Sequence, residues 1–474
     1  MEGGGEEPAS LVESVMRAVR RRIAARTLLP GAKLPSIRAM AAEMGVSKST
    51  VVEAYDRLAA ESVIRSRRGS GFFVAGHLPP LALAEIGPRL DRVVDPLWVS
   101  RHVLEAGEGT MMPGCGFLPD AWLAGEELRR ALRSVARTAT ETRLTRYETP
   151  HGFAPLRRLL SLRLAERGVE ASPEQIILTD SATQGIDLLC RFLLDPGDVV
   201  LVDDPCYFNF HALLRAHRVR VVSVPYTPTG PDIEQFAAML ADHKPRLYLT
   251  NVGLHNPTGA TIAPVTAHRV LRLAEQHGLT IIEDDVFADL EPEPSPRLAA
   301  FDGLERVVQV GSFSKALTAA ARCGFIVARR DWIEPLLDLK VATLYGVSRL
   351  SAELTHAVMT NGSYRHHLEN LRERLSKATG ETMARLKSIG ITPWMVPRGG
   401  LFLWCKLPDG ADAVDLAQRA LAKDIVLAPG NVFSLSQSAG QYMRFNVAQC
   451  SDPRLFDSLA GLMSERRTAL GFWR

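Results

Sequence analysis

The chain has 474 residues and a mass of 51.9 kDa, more than one hydrophobic core fills, so two or three domains are expected and a single small module is excluded. Apolar residues make up 46%, charged residues 23%, and mean hydropathy is +0.01, which excludes the disordered and fibrous classes. No stretch reaches the roughly 18 to 20 apolar residues of a spanning helix. The net charge of +3 is unevenly spread: residues 1–75 hold 12 Lys/Arg against 8 Asp/Glu, and the remainder holds 44 against 45. The excess positive charge points to nucleic acid or another anionic partner for the first sixth of the chain. Six cysteines at long, irregular spacings with no Cys-x-x-Cys pair argue against a zinc site and a disulfide framework, so no metal is expected. The opening MEGGGEEPAS lacks a basic region followed by an apolar one, and a cytoplasmic setting is expected.

In chain order, Leu11, Val15, Val19 and Ile23 recur at helical intervals among Arg17, Arg20, Arg21 and Arg22, predicting a basic amphipathic helix from Leu11 to Ala25. Pro30-Gly31 marks a turn. Ser36 stands where an N-cap opens a helix from Ile37 to Glu43, Gly45 ends it, and Ser47 caps a third helix with Val51, Ala54, Tyr55 and Leu58 as its apolar stripe. Two short helices joined by Met44-Gly45-Val46 form a helix-turn-helix, and VIRSRRGSGFFVA after them reads as a β-hairpin wing. The first turn of the third helix, Ser47-Lys48-Ser49-Thr50, carries the short polar and basic side chains that a recognition helix brings to the major groove. Arg38, Lys33, Arg65, Arg67 and Arg68 supply cations for phosphates. Residues 9–76 are read as this DNA-binding module and 77–100, with four prolines, as a linker.

From residue 101 to 474, helical stretches alternate with seven apolar runs, QIILTD, DVVLVDD, RVVSVPY, RLYLTNV, LTIIEDD, RVVQVGS and GFIVARR, predicting an α/β layer with a mostly parallel sheet. A smaller α/β portion follows around PWMVPRGGLFLWCKLP and QYMRFNVA. In GSFSKALTAAARCGF, Lys315 between hydroxyls is suited to form a Schiff base, while Ser312 and Arg322 are suited to bind a phosphate. Asp284 closes an apolar strand, where a carboxylate holds a pyridine nitrogen protonated. Asn256 lies in an Asn-Pro-Thr-Gly turn, suited to donate to a ring oxygen. Ser181, Ala182 and Thr183 open a helix whose N-terminus favours a phosphate, and Tyr207 is a stacking platform for a heteroaromatic ring. Their order, at the carboxyl ends of consecutive strands, is where α/β sheets bind ligands.

Leu28 to Val74 resembles the winged helix of the GntR superfamily of bacterial regulators. The carrying residues are Leu29-Pro30-Gly31, Leu34-Pro35-Ser36 with Arg38, Gly45-Val46-Ser47 with Thr50-Val51, Ala54-Tyr55 with Leu58, and Arg68-Gly69-Ser70-Gly71. The resemblance puts Arg38, Ser47, Lys48, Ser49, Thr50, Arg67, Arg68 and Gly69 at or near DNA and gives Tyr55 and Leu58 to the core. From about residue 105 to 470 the chain is similar to the fold-type I aminotransferases, which bind pyridoxal 5'-phosphate. That resemblance makes Lys315 the Schiff-base lysine, Asp284 the pyridine-nitrogen partner, Asn256 the phenolate-oxygen donor and Tyr207 the stacking ring. Ser181, Ala182, Thr183, Ser312 and Arg322 become the phosphate cup, and Tyr147 the tyrosine that reaches the neighbouring subunit's phosphate. Arg444 becomes the clamp for a ligand carboxylate, a bidentate task.

One departure stands out. The tyrosine usual two or three residues past the aspartate is replaced by Val286 and Phe287, which removes a hydrogen bond to the phenolate oxygen and weakens the case for efficient transamination. Joined in one chain, the two resemblances are the architecture of the MocR subfamily of transcriptional regulators. They imply a homodimer that binds promoter DNA and senses an amino-group-containing carboxylate by Schiff-base exchange at Lys315, without physiological turnover. The alternative is an active aminotransferase with an accessory DNA-binding domain.

Overall fold

The computed structural model describes residues 11–24, 28, 32–61, 63–67, 71–74, 103–105, 107 and 109–471. The chain divides into two compact units, Met1–Arg89 and Leu90–Arg474. Residues 77–100, read as a linker, lie outside the described residues, as do Arg68 and Gly69.

In the first unit, three helices, α1 (Leu11–Ala24), α2 (Ile37–Met44) and α3 (Lys48–Ala60), precede a hairpin of β1 (Ile64–Arg67) and β2 (Gly71–Val74). Ser36 caps α2 by accepting from the Ala39 amide at 3.2 Å, and Ser47 caps α3 by accepting from the Thr50 amide at 3.1 Å. Gly45 ends α2 at a φ of 65°, a conformation that strains any side chain. Val15, Val19, Met40, Val51, Ala54, Tyr55 and Leu58 form the core with Ile64 and Val74 of the hairpin. Tyr55 also donates to the Pro35 carbonyl at 3.0 Å and meets Phe72 edge-on at 5.1 Å. Leu11 departs from the predicted stripe: it is 63% exposed, because the first turn of α1 runs past the edge of this small core, and Met16 is buried instead. The chain before α2 also pairs with the wing. Leu34 donates to Phe72 at 2.8 Å and Val74 donates to Ala32 at 2.9 Å, adding a third short edge to the two-stranded hairpin.

All seven apolar runs of the second unit are strands: β3 (Ile176–Thr179), β4 (Val199–Asp204), β5 (Arg220–Thr227), β7 (Leu247–Thr250), β8 (Thr280–Asp284), β9 (Val307–Ser312) and β10 (Gly324–Val327), joined by a short β6 (Gly230–Pro231). The sheet runs β3-β10-β9-β8-β7-β4-β5-β6. Its central pairs are parallel, whereas β10 is antiparallel to both neighbours. The Lys315 turn between β9 and β10 contains no helical crossover that could return the chain in parallel. Alternate residues go to opposite layers: Leu201, Tyr248, Ile281 and Val307 pack into one apolar cluster, and Val200, Leu247, Ile282 and Val308 into the other. A second sheet, β11 (Thr392–Pro393), β12 (Phe402–Lys406), β13 (Ala428–Pro429) and β14 (Tyr442–Asn446), runs β11-β12-β14-β13 and is wholly antiparallel.

Candidate functional site

Strand ends and the turns after them build one cavity in the second unit. Ser181, Ala182, Thr183, Tyr207, Asn256, Asp284, Ser312, Lys315 and Arg322 all line it, along with Ser314, Asn209, Val286 and Phe287.

Ser181 caps helix α4 (Ala182–Leu193), accepting from the Gln184 amide at 3.1 Å, which leaves the leading amides of Ala182 and Thr183 at an electropositive helix end. Gly324 permits this approach, since a β-carbon there would stand 2.7 Å from the Ser181 backbone carbon. Ser312 donates to the Ser314 hydroxyl at 3.1 Å. Arg322 is exposed and holds a φ of 43°, a left-handed conformation costly for arginine and of a kind that collects at binding sites. Hydroxyls, amides and a guanidinium thus converge on the cavity, a set suited to a phosphate.

Asp284 is buried with Oδ1 lacking any hydrogen-bond partner. Burial and the neighbouring Asp285 push its carboxyl up to about 7, partly offset by Lys315. Asp285 itself turns the other way, to the buried Arg297 at 2.9 and 3.2 Å and to Gln309 at 2.9 Å. Adjacent carboxylates therefore have separate tasks, one ion-paired within the fold and one aimed at the cavity.

Lys315 donates to the Gly116 carbonyl at 2.8 Å and stands 5.7 Å from the centre of the Phe287 ring. Burial, then the charge of Arg444, lowers its ammonium to about 8, with Asp284 opposing. Phe287 presents a hydrocarbon ring to Lys315 in the cavity lining. Arg444 is 2% exposed, lies between the Phe402 and Phe433 rings at 4.2 and 4.7 Å, and donates to Asn256 Oδ1 at 2.9 Å and to the Gly114 carbonyl at 2.6 Å. Its Nε is buried without a partner, and burial lowers its guanidinium to about 10.

Tyr147 is not brought to the cavity. It is 80% exposed, with its ring 4.8 Å from that of Tyr345. Several site residues escaped the sequence reading. Asn251 donates to the Asp284 backbone carbonyl and accepts from the Asn256 amide at 2.9 Å, tying two strand ends together. Its position at the end of RLYLTNV, five residues before Asn256, was the available signal. Gly114 and Gly116 contribute only backbone carbonyls, which leave no sequence signal of their kind.

In the first unit, Arg38, Ser47, Lys48 and Ser49 are exposed, and Thr50 is half-buried. The Ser47 hydroxyl is taken up by the cap and by contacts of 2.7 Å with Ser49 and Thr50. Arg67 ends β1. Arg20 pairs with Glu61 and Arg22 with Glu43, so these α1 cations bind α1 to its neighbours, whereas Lys33, Arg38, Lys48 and Arg65 have no ion-pair partner among the described residues.

Residues 116–457 match the family of class I and II aminotransferases, and residues 11–74 match the gntR family of bacterial regulatory proteins. The chain belongs to the class I and II aminotransferase family and carries a GntR-type helix-turn-helix domain ahead of it. Among its relatives is the uncharacterized HTH-type transcriptional regulator YdcR of Escherichia coli (strain K12), 29% identical over 447 residues, covering 92% of this chain and 94% of that one. Another is the uncharacterized HTH-type transcriptional regulator YdfD of Bacillus subtilis (strain 168), 28% identical over 431 residues and 89% of each chain. Of solved structures, the α-aminoadipate aminotransferase LysN of Thermus thermophilus, complexed with N-(5'-phosphopyridoxyl)-L-leucine, is similar at a TM-score of 0.70 and 26% identity, covering 77% of this chain and 95% of that one.

The cavity fits pyridoxal 5'-phosphate. The partnerless buried oxygen of Asp284 suits a protonated ring nitrogen, the Ser181–Thr183 helix end with Ser312 and Arg322 suits the phosphate, and the depressed ammonium of Lys315 suits bonding to an aldehyde.

Proposed function

We propose that this protein is a pyridoxal-phosphate-dependent, DNA-binding transcriptional regulator of the MocR type. Its large unit senses an amino-group-containing carboxylate, and it acts as a cytoplasmic homodimer. The observation that carries the reading is a cavity lined by Lys315, Asp284 and the Ser181–Thr183 helix end, with the Phe287 ring 5.7 Å from Lys315 Nζ, in the same chain as a winged helix with an exposed Lys48 and Arg38. When bound, pyridoxal 5'-phosphate would supply an aldehyde that condenses reversibly with primary amines, and Lys315 is the residue placed to hold it. The chain's residues prepare that exchange.

Asp284, whose buried Oδ1 has no other partner, would hold a proton on the ring nitrogen. Burial keeps a share of Lys315 as free amine near neutral pH, so it can both bond and leave. Arg444, its guanidinium held against the Phe402 and Phe433 rings, would orient a ligand carboxylate, and Asn256, held by Arg444 and Asn251, would present its amide to the ring oxygen. Two ligand-dependent arrangements with different affinity for DNA are all that regulation requires.

Footprinting on the neighbouring promoter, with and without an amino-acid panel, tests the reading: protection that changes with one amino acid is expected, and no protection under any condition sinks it. The alternative, an active aminotransferase, draws on the presence of Lys315, Asp284 and Arg444 together. Sustained keto-acid release at roughly 1 to 1000 per second would favour it.

A further inference from the structure

We propose that His367 is a positioning residue for Lys315: by holding the carbonyl of the next residue, it sets where the Lys315 amine meets the cofactor's aldehyde. The proposal rests on the pyridoxal-phosphate site above, not on the regulatory reading, and adds a residue that is not among those lining the cavity.

Lys315 sits on a turn that cannot satisfy its own backbone. The Phe313 carbonyl accepts from the Leu317 and Thr318 amides at 3.0 and 3.3 Å, which closes a single helical turn, and the chain then goes on to β10 without a helix. The last carbonyls of such a turn need partners from elsewhere. The Ala316 carbonyl, next after Lys315, accepts from His367 Nε2 at 2.8 Å, and the Leu317 carbonyl accepts from the Ala124 amide at 3.2 Å. The entry to the turn is fixed separately: the Phe313 amide donates to the Cys323 carbonyl at 3.3 Å, and the Ser314 amide donates to the Ser312 hydroxyl at 3.3 Å. Lys315 thus lies between an entry held at the ends of β9 and β10 and an exit held by His367 and Ala124.

His367 is itself well supported. It belongs to α5 (Gly362–Ser388), a helix of 27 residues. Its half-buried ring lies 6.0 Å from that of Tyr364, one turn earlier, at an interplanar angle of 23°, and the Tyr364 hydroxyl donates to Asp289 at 3.1 Å. Near the other end of α5, Leu386 is buried and Arg385 donates to the Ser451 carbonyl at 3.2 Å. A helix anchored at both ends holds its contacts more precisely than a loop. Removing the imidazole would deprive the carbonyl of the buried Ala316 of this partner, and the turn would shift to find another. A displacement of about 1 Å at a reacting group can cost on the order of 100-fold in rate.

Stopped-flow mixing of the cofactor-free, full-length chain with saturating pyridoxal 5'-phosphate tests the role of His367, since the visible band reports bonding to Lys315. His367→Leu is expected to form the band at least about tenfold more slowly, and His367→Gln, whose amide nitrogen comes near the place of Nε2, to stay within about threefold of the unaltered chain. A merely structural histidine would lower the melting temperature and leave the rate in the folded protein unchanged, and that outcome overturns the proposal. Equal slowing in the leucine and glutamine variants also overturns it, because the effect then belongs to ring packing on Tyr364. Should His367→Leu not fold, His367→Asn, polar but too short to reach Ala316, carries the same expectation.

A second measurement needs no cofactor. Hydrogen exchange of the Leu317 and Thr318 amides is expected to be several-fold faster in His367→Leu, or in His367→Asn, than in the unaltered chain, and unchanged exchange counts against the proposal. If the unaltered chain forms no band, the assignment of Lys315 has failed and the proposal falls with it. A band in the unaltered chain with a normal rate in the variants removes the proposal alone.

Discussion

Asp284 and Asp285 are neighbours of one residue type, and only their partners separate them. Asp285 is neutralised by Arg297, whereas Asp284 keeps an oxygen without a partner. Asp284→Asn is therefore expected to weaken pyridoxal 5'-phosphate binding by about tenfold or more while the fold persists, as measured by absorbance after equilibrium dialysis. The two titrating groups of the cavity also give the cofactor-free chain a characteristic pH profile. With Asp284 raised from 3.8 to about 7, the native state holds the proton that the unfolded state releases, so its contribution to stability falls as pH rises across that window. With Lys315 lowered from 10.5 to about 8, the unfolded state binds more protons between those values, so its contribution grows as pH rises there. Together they place the weakest point near pH 7 to 8, where added cofactor is expected to raise the melting temperature most. A cofactor-induced shift independent of pH, or one that survives Lys315→Ala unchanged, would contradict this account. Asp284 and Lys315 were legible in the sequence because the first ends a strand and the second lies in the turn just after one. The task of Asp285 was not, because Arg297 lies on a later turn that only folding brings back.

At the scale of elements, the caps of α2 and α3 are local and were readable as Ser36 and Ser47, three residues ahead of the amides that they accept from. The use of the basic charge was not readable, because Arg20 and Arg22 find Glu61 and Glu43 on other elements. Among the described residues, Lys33, Arg38, Lys48 and Arg65 are cations without an ion-pair partner that are available to phosphates. Lys48→Ala and Arg38→Ala are each expected to weaken DNA binding and lower its salt slope by about 1, with the cofactor spectrum intact, whereas Arg20→Ala leaves the slope unchanged. Loss of the spectrum along with binding would mean that the two units are not separable.

Another element-scale device is Asp289, which accepts from Arg163 and Arg167 at 2.6 Å each and from Tyr364 at 3.1 Å, and whose carboxyl is brought down to about 2 against the cost of burial. Asp289→Asn leaves two guanidinium groups facing each other and is expected to cost about 3 to 5 kcal/mol in urea unfolding.

For the whole molecule, assembly is the open test. Tyr147 lies on the surface against Tyr345, and the cavity is lined without it. A homodimer in which Tyr147 completes the neighbour's site is expected to sediment as one species of twice the chain mass when loaded with cofactor, and Tyr147→Ala is expected to lower cofactor affinity several-fold. A loaded monomer, or full affinity in the variant, rules this assembly out.

What the sequence determined by itself was the local and the ordered: helix caps, an alternation of apolar runs that became seven strands, and the chain order of Ser181, Tyr207, Asn256, Asp284 and Lys315 at their ends. Parallel strands joined by crossovers turn such an order into one cavity, so reading along the chain sufficed. Tertiary structure decided the contacts between distant segments: the pairing of arginines within the winged helix, the division of tasks between two adjacent aspartates, and the meeting of Gly114 and Gly116 with Arg444 and Lys315. A backbone carbonyl is the same in every residue. Only the fold determines which carbonyls face a buried charge.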